Sequence, residues 1–154
     1  MKRLTRKWPL VWALALLCLL ALPDRQTLAA GNTVLVLPFQ VNAGPEMPNA
    51  AQDVPQQIID QLSAHGLKPV PLSRARSIFA AEGGVIDLAK ARKLGKTAGA
   101  DLVIYGNFNQ LGGGFSMDTR LVPVNGGQAA PAAFERSSLL DLGACAAELA
   151  GQAA

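Results

Sequence analysis

The chain has 154 residues, half of them hydrophobic and 16% charged, and it is long enough to bury a single modest core. Its formal charge is +3, but five of the fourteen cations and one of the eleven acids lie within residues 1–30. The remainder carries nine cations and ten acids, so no positive excess indicates nucleic acid as a partner.

The first thirty residues have the order of a secretory signal peptide. Cations at positions 2, 3, 6 and 7 precede the apolar run Trp8–Leu22. A run of about fifteen residues is shorter than the roughly twenty of a membrane-spanning helix, which favours a cleaved signal over an uncleaved signal-anchor. Cleavage is expected after Ala29 or Ala30. Cys18 lacks the small preceding residue that lipoprotein processing prefers, so we interpret it as part of the leader and expect a periplasmic protein.

Residues 31–154 then have the size of a single domain. Cys145 is the one cysteine in this part of the chain, so no internal disulfide supports it. We expect the thiol to be buried among the alanines of a helical tail, and the alternative is a disulfide with a partner.

The domain begins with a strand, Thr33–Phe39, whose continuous apolar run predicts a central strand covered on both faces. After a loop, Asp53 is predicted to cap a helix that stops at Gly66. Leu67–Leu72 contains two prolines, which cannot donate to a sheet ladder, so it is predicted to be an edge strand.

Two further helices are predicted, one capped by Ser73 and one that runs from about Leu88 to Ala98, capped by Asp87 and stopped by Gly99. An antiparallel hairpin follows, and its alternation of apolar and polar residues indicates one dry face and one wet face. Asp118 and Arg120 lie on the wet face, where we expect them to pair with neighbouring strands or solvent. The dry positions are Leu102, Ile104, Phe108, Phe115, Met117 and Leu121, and the other wet positions are Tyr105, Asn107, Asn109 and Ser116.

A last strand is predicted near Ala132–Arg136 and a last helix over Leu139–Ala150. That helix is either a marginal end or the front of a longer chain. The whole order predicts an α/β (α+β) fold, a small mixed sheet of about four or five strands with helices mainly on one face, ending in an antiparallel hairpin.

Reactive side chains are scarce in this sequence. His65 is the single histidine and lies at a helix end, where it can interact with the last carbonyl groups, so a capping role is favoured over a catalytic one. Scattered acids and one cysteine form no metal-ligand pattern. We therefore expect no enzyme activity, metal or cofactor.

Most of the cations after the leader fall in the two middle helices. They form a candidate basic face for anionic lipid head groups or an acidic partner, and the alternative is two ordinary solvated helix surfaces. The residues of this candidate basic face are Arg74, Arg76, Lys90, Arg92, Lys93 and Lys96.

A structural motif joins the last of these helices to the hairpin. Gly99 is predicted to end the helix in a left-handed conformation, and Ala100 permits close approach of helix and sheet. Asp101 opens the strand, where its carboxylate can bind N–H groups, and Gly106 indicates a bulge or close packing of another backbone.

Three segments together resemble the TolB amino-terminal-domain-like family: Val34–Phe39, Gln61–Leu67 and Lys93–Gly106. The resemblance covers about residues 33–136 and is most specific in LGKTAGADLVIYG. The family's α/β unit occurs in CsgG- and FlgO-type envelope lipoproteins and ahead of BamA in some delta-proteobacteria. The resemblance implies a non-enzymatic periplasmic domain that binds envelope proteins, including outer-membrane assembly machinery, with peripheral membrane association as an option. The alternative is a periplasmic protein that binds a small ligand.

Overall fold

A computed structural model describes residues 32–154. The predicted signal peptide, residues 1–30, lies outside the described residues. The strands are β1 (Thr33–Val36), β2 (Gln40–Asn42), β3 (Lys68–Pro69), β4 (Leu102–Leu111), β5 (Gly114–Pro123) and β6 (Ala130–Arg136). The helices are α1 (Ala50–Ala64), α2 (Leu72–Glu82), α3 (Leu88–Ala98) and α4 (Leu142–Ala153), and a short 3-10 turn, Leu139–Asp141, precedes α4.

The strands form one six-stranded mixed sheet in the order β3-β1-β4-β5-β6, with β2 also paired to β4. β1 runs parallel to both β3 and β4 and ends at Val36, three residues before the predicted end at Phe39, and β2 then pairs parallel to β4. β4, β5 and β6 are antiparallel neighbours. The predicted fold class, a mixed α/β sheet with a long antiparallel hairpin, is confirmed, and β3 is an edge strand as expected.

Each face of the sheet has its own apolar core. Val34 and Val36 point into a cluster with α1 and α4, whereas Leu35 and Leu37 point into a second cluster with α2 and α3. The helices are thus divided two and two between the faces, instead of packing mainly on one face as the sequence predicted. The physical reason is β1 itself, since alternate apolar side chains can all leave water only if both faces are covered.

Two of the predicted helix starts are wrong. α1 begins after Asn49 and α2 after Pro71, so Asp53 lies in a first turn and Ser73 lies inside a helix. Asp87 does cap α3, because its carboxylate accepts a hydrogen bond from the Lys90 amide at 2.7 Å. No helix within residues 32–154 is both long and apolar enough to span a membrane.

A candidate binding groove on the open half of the sheet

The helices α2 and α3 cover only one half of their face of the sheet. Val103 on β4 and Val122 on β5 are fully buried in this covered half. Further along the same face Tyr105 is half-buried, and Asp118 and Arg120 are exposed. We call the uncovered part the open half of the sheet.

A surface groove of about 510 Å³ lies on the open half. Its floor is built from directly opposed residues of adjacent strands, Tyr105 with Arg120 and Asn107 with Asp118. β6 extends the same two rows, because Pro131 is opposite Arg120 and Ala133 is opposite Asp118. The complete lining is Pro38, Gln40, Val85, Ile86, Tyr105, Gly106, Asn107, Asp118, Thr119, Arg120, Pro131, Ala132 and Ala133.

Successive side chains of a strand point to opposite faces of the sheet, and this alternation brings the lining side chains together on one face. Phe108 and Met117 point into the core on the other face, so their chain neighbours Asn107 and Asp118 point to the groove side of the sheet. Thr119 is buried, and its hydroxyl donates a hydrogen bond of 2.8 Å to the Ala132 carbonyl, which ties β5 to β6 beneath the groove. The polar surface therefore rests on a firmly packed sheet.

The connection between α2 and α3 supplies an apolar part of the lining. Gly83 and Gly84 have φ of +57° and +74°, which lets the chain turn sharply after α2. Ile86 packs against the second core cluster and anchors the connection, while Val85 is 80% exposed. Val85 thus offers an uncovered apolar side chain at the groove.

Asp118 and Arg120 carry charges that the described part of the chain does not neutralise. The two ion pairs found there join Lys93 to Glu82 and Arg136 to Glu148. The sequence predicted that Asp118 and Arg120 either pair with neighbouring strands or face solvent, and in the structure both face solvent. Both charges are available to a ligand.

Amide side chains extend the polar surface beyond the groove. β2 places Gln40 beside Asn107 and Asn42 beside Asn109. These four residues line an adjacent depression of about 320 Å³. Each amide offers both donors and an acceptor, so the surface is suited to non-covalent hydrogen bonding.

The six cations of the candidate basic face are not gathered at the groove. Lys93 is 2.9 Å from the Glu82 carboxylate, and Arg92 donates hydrogen bonds to the carbonyls of Pro123 at 3.3 Å and Gly127 at 2.6 Å. The remaining four are distributed as follows: Arg76 donates to the Ala51 carbonyl, Lys90 lies 5.8 Å above the Phe79 ring, and Arg74 and Lys96 are exposed. Arg92 in particular holds the β5–β6 turn against α3.

The motif between α3 and β4 organises the sheet, and its last residue, Gly106, also lines the groove. Gly99 has φ +69° at the end of α3, and Ala100 is buried in the second cluster. Asp101 binds the start of β1. A Cβ at Gly106 would collide with the Asp118 carbonyl, so the close backbone approach expected there is present.

The described residues offer little for covalent or metal chemistry. The exposed His65 ring has Nδ1 2.9 Å from the Gln61 carbonyl oxygen, at the end of α1. No group of three or more histidine, cysteine, aspartate and glutamate side chains within residues 32–154 could hold a metal ion.

Sequence reasoning missed Val85, Gln40 and Pro131. Val85 follows a glycine pair that predicts only a linker, and the position of that linker depends on how α2 and α3 sit on the sheet. Gln40 and Pro131 belong to strands whose neighbours are set by the fold. Period-two alternation does identify Tyr105 and Asn107 as outward-facing residues.

Comparison with known proteins shows the fold. No family model and no curated protein matches the chain. The structure of lipoprotein GNA1162 from Neisseria meningitidis has 20% identity and a TM-score of 0.53, with 79% of this chain and 95% of that chain covered. TolB from Acinetobacter baumannii has 12% identity and a TM-score of 0.53, with 79% of this chain and 27% of that chain covered. The chain therefore shares the α/β fold of GNA1162 and of part of TolB.

Proposed function

We propose that the protein is a non-enzymatic domain of the cell envelope that works by binding another protein. The observation that carries this proposal is the open half of the sheet, where the unpaired charges of Asp118 and Arg120 lie among tyrosine and amide side chains. Partner-binding surfaces combine such polar groups with a few aromatic and arginine anchors.

The periplasm is the proposed site of action. The charge and hydropathy of the first thirty residues support export, and a lipoprotein with the same fold supports an envelope location. We propose an envelope protein as the partner, with the outer-membrane assembly machinery as one such partner and peripheral membrane association as a consequence. This step is an analogy between folds.

The groove's position favours a protein partner over a small ligand. Both core clusters are filled by buried side chains, and the groove is a depression on the surface of the sheet. Its volume of about 510 Å³ falls within the range of small-ligand sites, which keeps a ligand-binding function as the second candidate. A segment of a protein can cover a shallow surface, whereas a small ligand bound there would stay largely exposed to solvent.

Photocrosslinking in intact cells tests the proposed function. A photoreactive amino acid at Asn107 or Ala133, both exposed at the groove, should capture an envelope protein, whereas the same group at Ser77 on the exposed side of α2 should not. Cell fractionation of the same strain checks export. Crosslinks to no envelope protein from any exposed position, or unprocessed protein in the cytosol, would contradict the proposal.

A further inference from the structure

We infer that the groove binds an extended segment of the partner protein that carries an acidic and a basic side chain next to each other. This inference rests on the proposed function and names the site and the chemistry of its partner.

The dimensions of the groove match a short extended chain. Its lining includes residues from β2, β4, β5 and β6, four strands that lie side by side. Adjacent strands are about 4.8 Å apart, so the groove spans about 14 Å across the sheet. An extended chain advances about 3.3 Å per residue, and about four residues therefore cover this distance.

The charges select the side chains of that segment. Asp118 and Arg120 lie on the same face of β5, with Cα atoms about 7 Å apart by strand geometry. Consecutive side chains of an extended segment point to opposite sides. An acidic residue can thus reach Arg120 while its basic neighbour reaches Asp118. A wholly acidic or wholly basic segment would place one of its charges against a like charge.

Neighbouring groups strengthen each half of this arrangement. Tyr105 stands opposite Arg120, and its hydroxyl can donate a hydrogen bond to the carboxylate of the segment's acidic residue. Asn107 stands opposite Asp118 and offers an amide oxygen to the basic side chain. Val85, 80% exposed in the lining, gives an apolar residue of the segment a contact.

The helix layer excludes a flat sheet as the occupant. Packed sheets lie about 10 Å apart, which is the space that α2 and α3 already fill over the neighbouring half of this face. If a second copy of this chain packed its open half onto this one, its strands would collide with α2 and α3 wherever they extended beyond the groove. A single extended segment is narrow enough to lie beside them.

An anionic membrane is also a poor occupant. Asp118 and Glu135 are both exposed on the outward side of adjacent strands β5 and β6, and they place negative charge on the surface that would face the lipid. Arg120 is the one cation of the groove lining. A segment with one acidic and one basic side chain complements this surface of mixed charge better than an anionic membrane does.

Peptide titration followed by NMR tests the inference. The probe is the tetrapeptide Leu-Glu-Lys-Leu, acetylated and amidated so that its ends carry no charge, added to the isotope-labelled protein. We expect saturable shifts at Tyr105, Asn107 and Val85 with a Kd of about 1 mM. Arg120→Gln and Asp118→Asn should each weaken binding about fivefold, the upper limit for an exposed ion pair. Arg74→Gln, on the exposed surface of α2, is the matched control and should change nothing.

A double-mutant cycle assigns each contact. When the probe's glutamate is replaced by glutamine, Arg120→Gln should not weaken binding of the probe any further. When the probe's lysine is replaced, Asp118→Asn should likewise not weaken binding any further. Shifts confined to other surfaces, no saturation by about 10 mM probe, or equal losses in every arm of the cycle would overturn the inference. In-cell crosslinks that arise only outside the groove would overturn it too, while leaving the proposed docking function standing.

Discussion

Thr33 and Asp101 exchange two hydrogen bonds across the start of the sheet. The Thr33 amide donates to the Asp101 carboxylate at 3.1 Å, and the Asp101 amide donates to the Thr33 carbonyl at 2.8 Å. The Asp101 carbonyl also accepts a hydrogen bond from the Val124 amide at 2.9 Å. One residue thereby joins the beginnings of β1 and β4 to the end of β5.

Replacing Asp101 should loosen this junction. Asp101→Ala removes the acceptor of the Thr33 amide, a partly buried group, and should lower the free energy of unfolding by about 1–2 kcal/mol. Asp101→Asn keeps an oxygen in the same place and should lose less than half of that. Urea denaturation of the three proteins measures the difference, and equal stability of the alanine and asparagine variants would show that the side-chain bond contributes nothing.

Gly106 and Gly95 should respond differently to a methyl group. A Cβ at Gly106 would meet the main chain of Asp118 and Thr119, which cannot move without breaking the β4–β5 ladder. A Cβ at Gly95 would meet methyl groups of Val124 at 2.5 Å and Val103 at 2.7 Å, and side chains can rotate away. Gly95→Ala should therefore cost about 1–3 kcal/mol, and Gly106→Ala should cost more or prevent folding.

A glycine with free space provides the control. Gly151 lies in α4 with nothing within 4 Å of a Cβ, so Gly151→Ala should be neutral or stabilise by up to about 1 kcal/mol through helix propensity. Thermal unfolding ranks the three variants. A Gly106→Ala protein as stable as Gly151→Ala would mean that the two strands are further apart than the structure has them.

Two aspartates near helix starts should differ in their effect on stability. Asp87 accepts a hydrogen bond from the Lys90 amide, so Asp87→Ala should cost about 0.5–2 kcal/mol. Asp53 lies within the first turn of α1 and makes no capping bond, so Asp53→Ala should cost no more than about 0.5 kcal/mol. Chemical denaturation compares them, and a larger loss at Asp53 would restore the helix start that the sequence predicted.

These residues show where local sequence is informative. Asp87 and Gly99 mark the two ends of α3 correctly, because a cap and a left-handed stop depend only on neighbours in the chain. Asp53 has the same chemistry as Asp87, but the helix extends further back, to Ala50, whose side chain is buried in the first core cluster. Tertiary packing thus decided that boundary.

The groove required information that no local pattern contains. Alternation predicted that Asp118 and Arg120 face away from the core, and the structure agrees. It did not predict that α2 and α3 cover one half of that face and leave the other half open, since coverage depends on where the helices pack. Val85 became part of the lining for the same reason.

Cys145 should be unreactive in the folded protein and should make stability depend on alkaline pH. The side chain is fully buried in the first core cluster, and burial raises the pKa of its thiol above the ordinary 9.0, an effect that Arg136 opposes and that Glu148 and Asp141 reinforce. Thiol reagents attack the thiolate, so labelling of the native protein should be slow and should become fast in denaturant.

The sign of the pH effect follows from the two states. Above about pH 9 the unfolded chain loses the thiol proton while the folded chain keeps it, so the free energy of unfolding falls as the pH rises towards the folded-state pKa. Below that range the thiol is protonated in both states and makes no difference. Cys145→Ala should remove this contribution, while any other dependence of stability on alkaline pH is common to both proteins. The measurement is the stability difference between the two proteins at about pH 8 and about pH 10, and a difference that stays constant would show that Cys145 ionises as freely in the folded state as in the unfolded one.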